Sequence, residues 1–346
     1  MRYWLGFFTI LLLGGGSLLT LLIYAHRTKS IPETLVNVIL MVLTLFFLGM
    51  GLEFYFKVFF AESDAYDTLA RQNLRDSYAS SANKKQYNSQ GFHDIEWTPE
   101  MVAGKTKIMI VGDSFVHGDG IADPNKRFSN LLAQKLGPNY VVFNLGKGGT
   151  NTAQQIEFIV NYPFSPDILI LSYVFNDIQG AMLERQWRQR PSSPQVPQVL
   201  APMVNNSYAF NFLYWRIYRL LEAGQPDEKW LWYLDAYNDP DSWWLHKQQL
   251  LQIYEGAKSE QIPFLVIVFP SMEYPEKTKV VTDRVIDLFE QQHVPVLDVS
   301  ELIRGIPARD LMVSPTDPHP SEFANKLVAE ALYKMLIAEG IVQEGD

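Results

Sequence analysis

The sequence predicts an α/β protein, a doubly wound five-stranded parallel sheet preceded by two transmembrane helices. Three observations carry that expectation. After Lys105, short apolar runs alternate with amphipathic stretches of helical period. The runs Lys107–Val111, Tyr140–Phe143, Ile168–Tyr173, Phe264–Phe269 and Val294–Val299 are nearly continuous in Val, Ile, Leu and Phe, as strands covered on both faces are. Two long apolar stretches, Trp4–Ala25 and Thr34–Phe56, come before them.

The first apolar stretch is uncharged and long enough to cross a bilayer core as a helix. It is too long for the apolar core of a cleaved signal peptide, and a second span follows at once, so a hairpin is the better reading. Two spans place the N-terminus and the large domain on one side. The loop between them carries Arg27 and Lys29, whereas Glu62, Asp64 and Asp67 follow the second span. The positive-inside rule then puts the loop in the cytoplasm and the domain in the periplasm or outside the cell. The expected organisation is a hairpin over 1–60, a polar connector over 61–104 and an α/β domain over 105–346. Ser80–Gln86 lies within the connector as a loop.

Helices are expected near 124–136, 152–162, 247–261, 278–292 and 321–338. Strand–helix alternation with right-handed crossovers gives helices on both faces of the parallel sheet. An insertion at about 178–246 breaks the rhythm. It holds a Pro-rich linker (Pro191–Pro197), an aromatic helix (Tyr208–Leu221) and six of the eight Trp: 187, 215, 230, 232, 243 and 244. It reads as a subdomain with its own small core, as a membrane-facing lid, or as both.

Composition narrows the function. A net charge of −9 offers no basic face to a nucleic acid. The absence of Cys excludes disulfides, zinc–thiolate sites and a thiol nucleophile. His and carboxylates show no metal-ligand spacing, so neither metal nor other cofactor is expected.

The chemistry gathers at strand ends, where doubly wound sheets bind ligands. The first strand runs into Gly112-Asp-Ser114, a tight turn that projects a serine hydroxyl into the crevice; the hydroxyl needs a neighbouring base to act as a nucleophile. The second runs into Asn144-Leu-Gly-Lys-Gly-Gly-Thr-Asn-Thr152, a glycine-rich turn whose amides can hold an oxyanion. It lacks the Gly-x-Gly-x-x-Gly spacing of a dinucleotide site. The third ends in Asn176-Asp177, where an Asn amide can donate to the same oxyanion. After the last strand, Asp317-Pro-His319 supplies a base with a carboxylate nearby. His117, three residues after the serine, is an alternative contact to substrate; His93, His246 and His293 read as structural.

These four blocks, with the lead-in Asn88-Ser-Gln-Gly-Phe-His-Asp94, resemble the SGNH/GDSL hydrolases from about Asn88 to residue 340, the insertion excepted. The resemblance implies a flavodoxin-like sandwich and an acyl-serine mechanism. It implies Ser114 as nucleophile, His319 as base and Asp317 as its orienter. The oxyanion donors it implies are the Ser114 and Gly149 backbone amides and the Asn176 side chain. Most of the family carries the acid three residues before the histidine, where this chain has Thr316. That leaves a Ser–His dyad helped by a backbone carbonyl as the alternative to a triad. The expected function is a membrane-anchored esterase or acyltransferase acting on acyl esters of an envelope glycan. The alternatives are a lipid or lysophospholipid esterase, and a non-catalytic scaffold within a membrane complex. A membrane-protein partner is compatible with each.

Overall fold

The computed structural model describes residues 2–28, 32–59, 87–188, 196–222, 228–314 and 317–343. The Ser80–Gln86 loop, most of the Pro191–Pro197 linker and Thr316 lie outside the described residues. Two compact units divide the chain: Met1–Leu74 with Pro194–Ala223, and Arg75–Ser193 with Gly224–Asp346.

The first unit holds the apolar helices. Helix α1 (Arg2–Ile10) continues through a π-helical turn, Leu11–Gly15, into α2 (Gly16–Thr28); α3 (Glu33–Val58) returns beside them. Trp4–Arg27 and Glu33–Val58, of 24 and 26 residues, are long and apolar enough to cross a membrane. The π-turn sits where small residues let the helices approach, since a Cβ on Gly14 would lie 3.0 Å from Phe46 Cζ.

The second unit is built on five parallel strands in the order β2-β1-β3-β4-β5. They are β1 (Thr106–Gly112), β2 (Tyr140–Gly146), β3 (Ile168–Val174), β4 (Phe264–Phe269) and β5 (Val296–Asp298). Side chains alternate between two cores, as a period of two demands. Met109, Val111, Leu169, Leu171, Val266 and Val268 face one core; Ile108, Ile110, Ile168, Ile170, Leu265 and Ile267 face the other.

Helices cover both faces. On the Met109 side lie α6 (Thr152–Asn161), α10 (Glu228–Asn238), α11 (Pro240–Ser259) and α12 (Pro275–Glu290). On the Ile108 side lie α5 (Phe128–Leu136) and α13 (Glu322–Ala338), whose Leu132 and Leu332 are fully buried. The turn after β1 carries the short helix α4 (Ser114–His117), and α7 (Gln179–Glu184) follows β3.

Elements differ from the expected bounds for local reasons. Helix α11 starts at Pro240 rather than 247, because Asp239 caps it by accepting from the Ser242 N–H at 2.8 Å and proline suits the first helical position. Strand β5 is shorter than Val294–Val299: Pro295 has no N–H for the ladder, and Asp298 caps the turn that follows. An antiparallel pair, β6 (Met312–Ser314) with β7 (Asp317–Pro320), stands outside the main sheet. The 178–246 stretch is shared between the two units. Helices α8 (Ala201–Val204) and α9 (Tyr208–Glu222) belong with the apolar helices, and α7, α10 and the start of α11 belong with the sheet.

Candidate active site

Ser114 is the first residue of α4, directly beyond β1. Asp113 caps that helix, accepting from the Phe115 N–H at 2.9 Å, and Gly118 ends it at a φ of 75°. Gly112 is required by closeness: a Cβ there would lie 2.6 Å from Val116 Cγ2 and 2.8 Å from the Ser172 carbonyl oxygen. The helix therefore presses onto the strand end, and the serine is held at the rim of the sheet. Its own N–H, at the first helical position, has no intrahelical acceptor.

The glycine turn lies alongside. Lys147 N–H donates to the Gly112 carbonyl at 3.3 Å, tying the β1 and β2 ends together. A Cβ on Gly148 would sit 3.8 Å from the Ser114 Cβ. The two candidate glycines do different things. A Cβ on Gly146 would lie 2.1 Å from the His117 backbone nitrogen, so that position is a packing contact. Gly149 takes a φ of 77° with open space around it, and its N–H has no acceptor among the described hydrogen bonds. Asn151 and Gln154 then form a capping box that starts α6.

Asn176 follows β3 and reaches the same place. Its Nδ2 donates to Asp113 Oδ2 at 3.3 Å, the oxygen that also accepts from Ser114 Oγ at 3.3 Å. A buried polar chain supports this corner. Tyr237 Oη donates to the Phe175 carbonyl at 2.7 Å and is itself bonded to the Tyr173 hydroxyl, which lies 3.0 Å from His246 Nε2. Burial pushes His246 down to about 3, so its ring is neutral and can donate into that chain. Asp177, which accepts from the Val174 N–H and from Gln155, is held well above the usual carboxylate range by burial and then by Asp113. Asp113 is also raised by burial, against the opposing Phe115 N–H and His319.

On β7, His319 Nδ1 lies 2.5 Å from Asp317 Oδ1, and the same oxygen accepts from the His319 N–H at 3.2 Å. The His319 ring meets Phe115, the neighbour of Ser114, edge-on at 5.7 Å. No hydrogen bond joins Ser114 Oγ to His319 among those described; the hydroxyl is turned to Asp113. Burial works against a charged His319. The Asp317 bond and charge, with Asp119 and Asp113, outweigh it and raise the group.

Asp119 also reaches this corner, although no motif marks it. Its N–H donates to the Ser114 carbonyl at 3.0 Å, closing a turn that brings its carboxylate towards His319. Oδ1 lies 2.8 Å from His117 Nδ1, and Oδ2 lies 3.9 Å from His319 Nε2. His117 is engaged on both nitrogens, the second facing the Tyr87 hydroxyl at 3.4 Å. The one local signal for Asp119 is its place five residues after the serine, just past a four-residue helix.

A serine at the β1 end, beside a histidine–carboxylate pair and convergent amides, defines a hydrolase of the serine-nucleophile α/β class. The chain belongs to the GDSL-like lipase/acylhydrolase family, whose model matches residues 110–327, more than half its length. No curated protein matches it significantly. Solved structures similar to it include a lipolytic protein of the G-D-S-L family from Desulfitobacterium hafniense DCB-2. That one is 14% identical with a TM-score of 0.41, over 67% of this chain and 100% of the other. Another is a lipase/acylhydrolase from Enterococcus faecalis, 14% identical with a TM-score of 0.43, over 70% and 99%. A third is AlinE4, an SGNH-hydrolase family esterase, 18% identical with a TM-score of 0.36, over 68% and 97%.

Proposed function

We propose that this chain is a membrane-anchored serine esterase or acyltransferase that removes or transfers an acyl group, foremost acetyl, on an envelope glycan. Ser114 is the nucleophile, His319 its general base and Asp317 the residue that orients His319. The Ser114 and Gly149 amides and Asn176 Nδ2 form the oxyanion hole. The observation that carries the reading is the 2.5 Å contact of Asp317 with His319 Nδ1. It fixes the tautomer that leaves Nε2 as the proton acceptor.

In the first step Ser114 Oγ leaves Asp113, bonds the ester carbonyl carbon and gives its proton to Nε2. Catalytic hydrogen bonds of this kind are often long before substrate arrives. The carbonyl oxygen becomes an oxyanion held by the three donors. Collapse breaks the bond to the alkoxy oxygen, which takes the proton from Nε2 and leaves as the alcohol. Water or a second hydroxyl then attacks the acyl-serine through the same groups in reverse order.

The Asp119 carboxylate supports a polyhydroxyl substrate. It forms a charged wall near His319 Nε2, which suits sugar hydroxyls and disfavours a long apolar acyl chain. Placement outside the cytoplasm rests on the Arg27–Lys29 loop and the acidic segment after α3. A lipid ester is the second reading, favoured by the aromatic 178–246 stretch. The test uses the full chain in detergent or nanodiscs. A fluorophosphonate is expected to label the wild type and not Ser114→Ala, and acetyl esters are expected to turn over faster than decanoyl esters. Labelling of Ser114→Ala at the wild-type level removes the mechanism. A preference for long acyl chains replaces the glycan with a lipid. A reporter active only outside the cytoplasm, fused after Asp346, is expected to be active.

A further inference from the structure

Helix α9 presents two different faces. Asn211 and Trp215 are buried. Phe210, Leu213, Ile217, Leu220 and Leu221 are each about half exposed or more, Leu220 and Leu221 at 76%. At 3.6 residues per turn those five fall within an arc of roughly 100°, a continuous apolar stripe. Tyr214 and Tyr218, stacked at 6.2 Å, flank the stripe on one side; Arg216, lying over Phe212, flanks it on the other. Rings and a cation bordering an apolar stripe are the pattern of a helix lying in a membrane interface.

The attachment of α9 gives it a depth. Glu53 is the one charged residue inside the second apolar span, five residues from the end of α3. Its carboxylate accepts from Ser207 Oγ at 2.6 Å, Tyr208 N–H at 2.9 Å and Ala209 N–H at 3.0 Å. The positive end of α9 thereby receives a charge that an apolar helix would otherwise carry at high cost. Lys57 Nζ donates to the Tyr208 hydroxyl at 2.8 Å, and Phe56 stacks on Phe212 at 4.5 Å. All these contacts fall in the last six residues of α3, where the span leaves the hydrocarbon.

We propose that α9 is a third membrane element, lying at the boundary of headgroups and acyl chains with its Phe210–Leu221 stripe in the lipid. The occupant of that stripe is the bilayer, because α9 is fastened to the last turns of the apolar span α3, where Leu52, Phe54, Tyr55 and Val58 are themselves exposed. This rests on the reading of α1–α3 as a membrane hairpin. Part of the insertion is then a membrane contact of its own.

The chain has no Cys, so Ile217→Cys, Leu213→Cys, Leu40→Cys and Lys258→Cys can each carry one environment-sensitive fluorophore. The labelled full chains are placed in phosphatidylcholine–phosphatidylglycerol vesicles, with folding checked by circular dichroism. Lipids spin-labelled shallow or deep in the acyl chain serve as quenchers. Leu40, exposed within the apolar span of α3, is expected to be quenched most by the deep label. Ile217 and Leu213 are expected to be quenched most by the shallow label, and Lys258 by neither. Quenching at Leu40 without quenching at Ile217 and Leu213 overturns the interfacial placement and leaves the hairpin standing. Ile217 shielded from aqueous iodide yet unquenched by lipid means that a protein surface covers the stripe, which also overturns it. No quenching at Leu40 removes the hairpin and the proposal together.

Discussion

Asp317 and His319 stand on the same face of β7, and one carboxylate oxygen meets both the ring nitrogen and the backbone N–H of the histidine. The spacing works because the segment is extended. Residues i and i+2 of a strand point the same way. Asp317 precedes Pro318 and His319 precedes Pro320, and a residue before proline is pushed into the extended region. An acid two residues before the base is thus the natural partner in this backbone, as an acid three before would be in a helical turn.

Replacing Asp317 by Asn keeps the shape and loses the charge that selects the tautomer. A fall in kcat on the order of 10³- to 10⁴-fold is expected, with His319→Ala inactive. A loss of only about tenfold, with circular dichroism unchanged, would assign the orienting role to a backbone carbonyl and the mechanism to a dyad.

The pH dependence follows from the charges around His319. As the proposed base, His319 acts neutral, and its folded value is raised above 6.5 by Asp317, Asp119 and Asp113 despite burial. Activity should therefore be lost on acidification through a midpoint above 6.5. Asp119→Asn removes one of the charges favouring the protonated ring, so its acid limb should move to lower pH. A kcat/KM profile of both forms decides it, and a limb moving upward would contradict the assignment.

The two glycines of the β2 turn should separate cleanly. Gly146→Ala puts a methyl against the His117 backbone and should unfold the site or the domain. Gly149→Ala meets open space and pays only for its left-handed backbone, about 1 kcal/mol. Thermal melts of the two variants test this. Asn176→Ala should fold and lose about 10²-fold in turnover, as oxyanion donors do.

Glu53 should hold the start of α9. Glu53→Leu removes the acceptor for two backbone amides and one hydroxyl, a cap worth about 1 kcal/mol. Amide exchange at Tyr208 and Ala209 is then expected to quicken by roughly fivefold. Unchanged exchange would show that the cap contributes nothing.

The sheet was legible because strands buried on both faces leave continuous apolar runs, and three of the four motif blocks stand where those runs stop; the fourth, Asp317-Pro-His319, lies on β7 outside the main sheet. Boundaries set by one proline or one cap, as at Pro240 and Pro295, were harder to see: the residues are visible but their dominance over the apolar pattern is not. Asp119 was hidden for another reason. Its position near His319 depends on a turn closed by one backbone bond to Ser114, which no apolar period records. The sharing of the insertion between two units was hidden too. The contacts of Glu53, Phe56 and Lys57 with residues 207–212 span about 150 positions, and no local pattern announces them.

The order of the strands also sets a timetable. Ser114 follows the first strand of the sheet to be synthesised, whereas β4, β5 and His319 come after the insertion, with about 200 residues between Ser114 and His319. At ribosomal speeds that gap is roughly 10–40 s. Throughout it the apolar helices can already be partitioning into lipid, while the nascent serine has no partner to activate it. The proposed triad is complete only when the last segment arrives, so a chain terminated anywhere before β7 is expected to keep its apolar helices and remain inert.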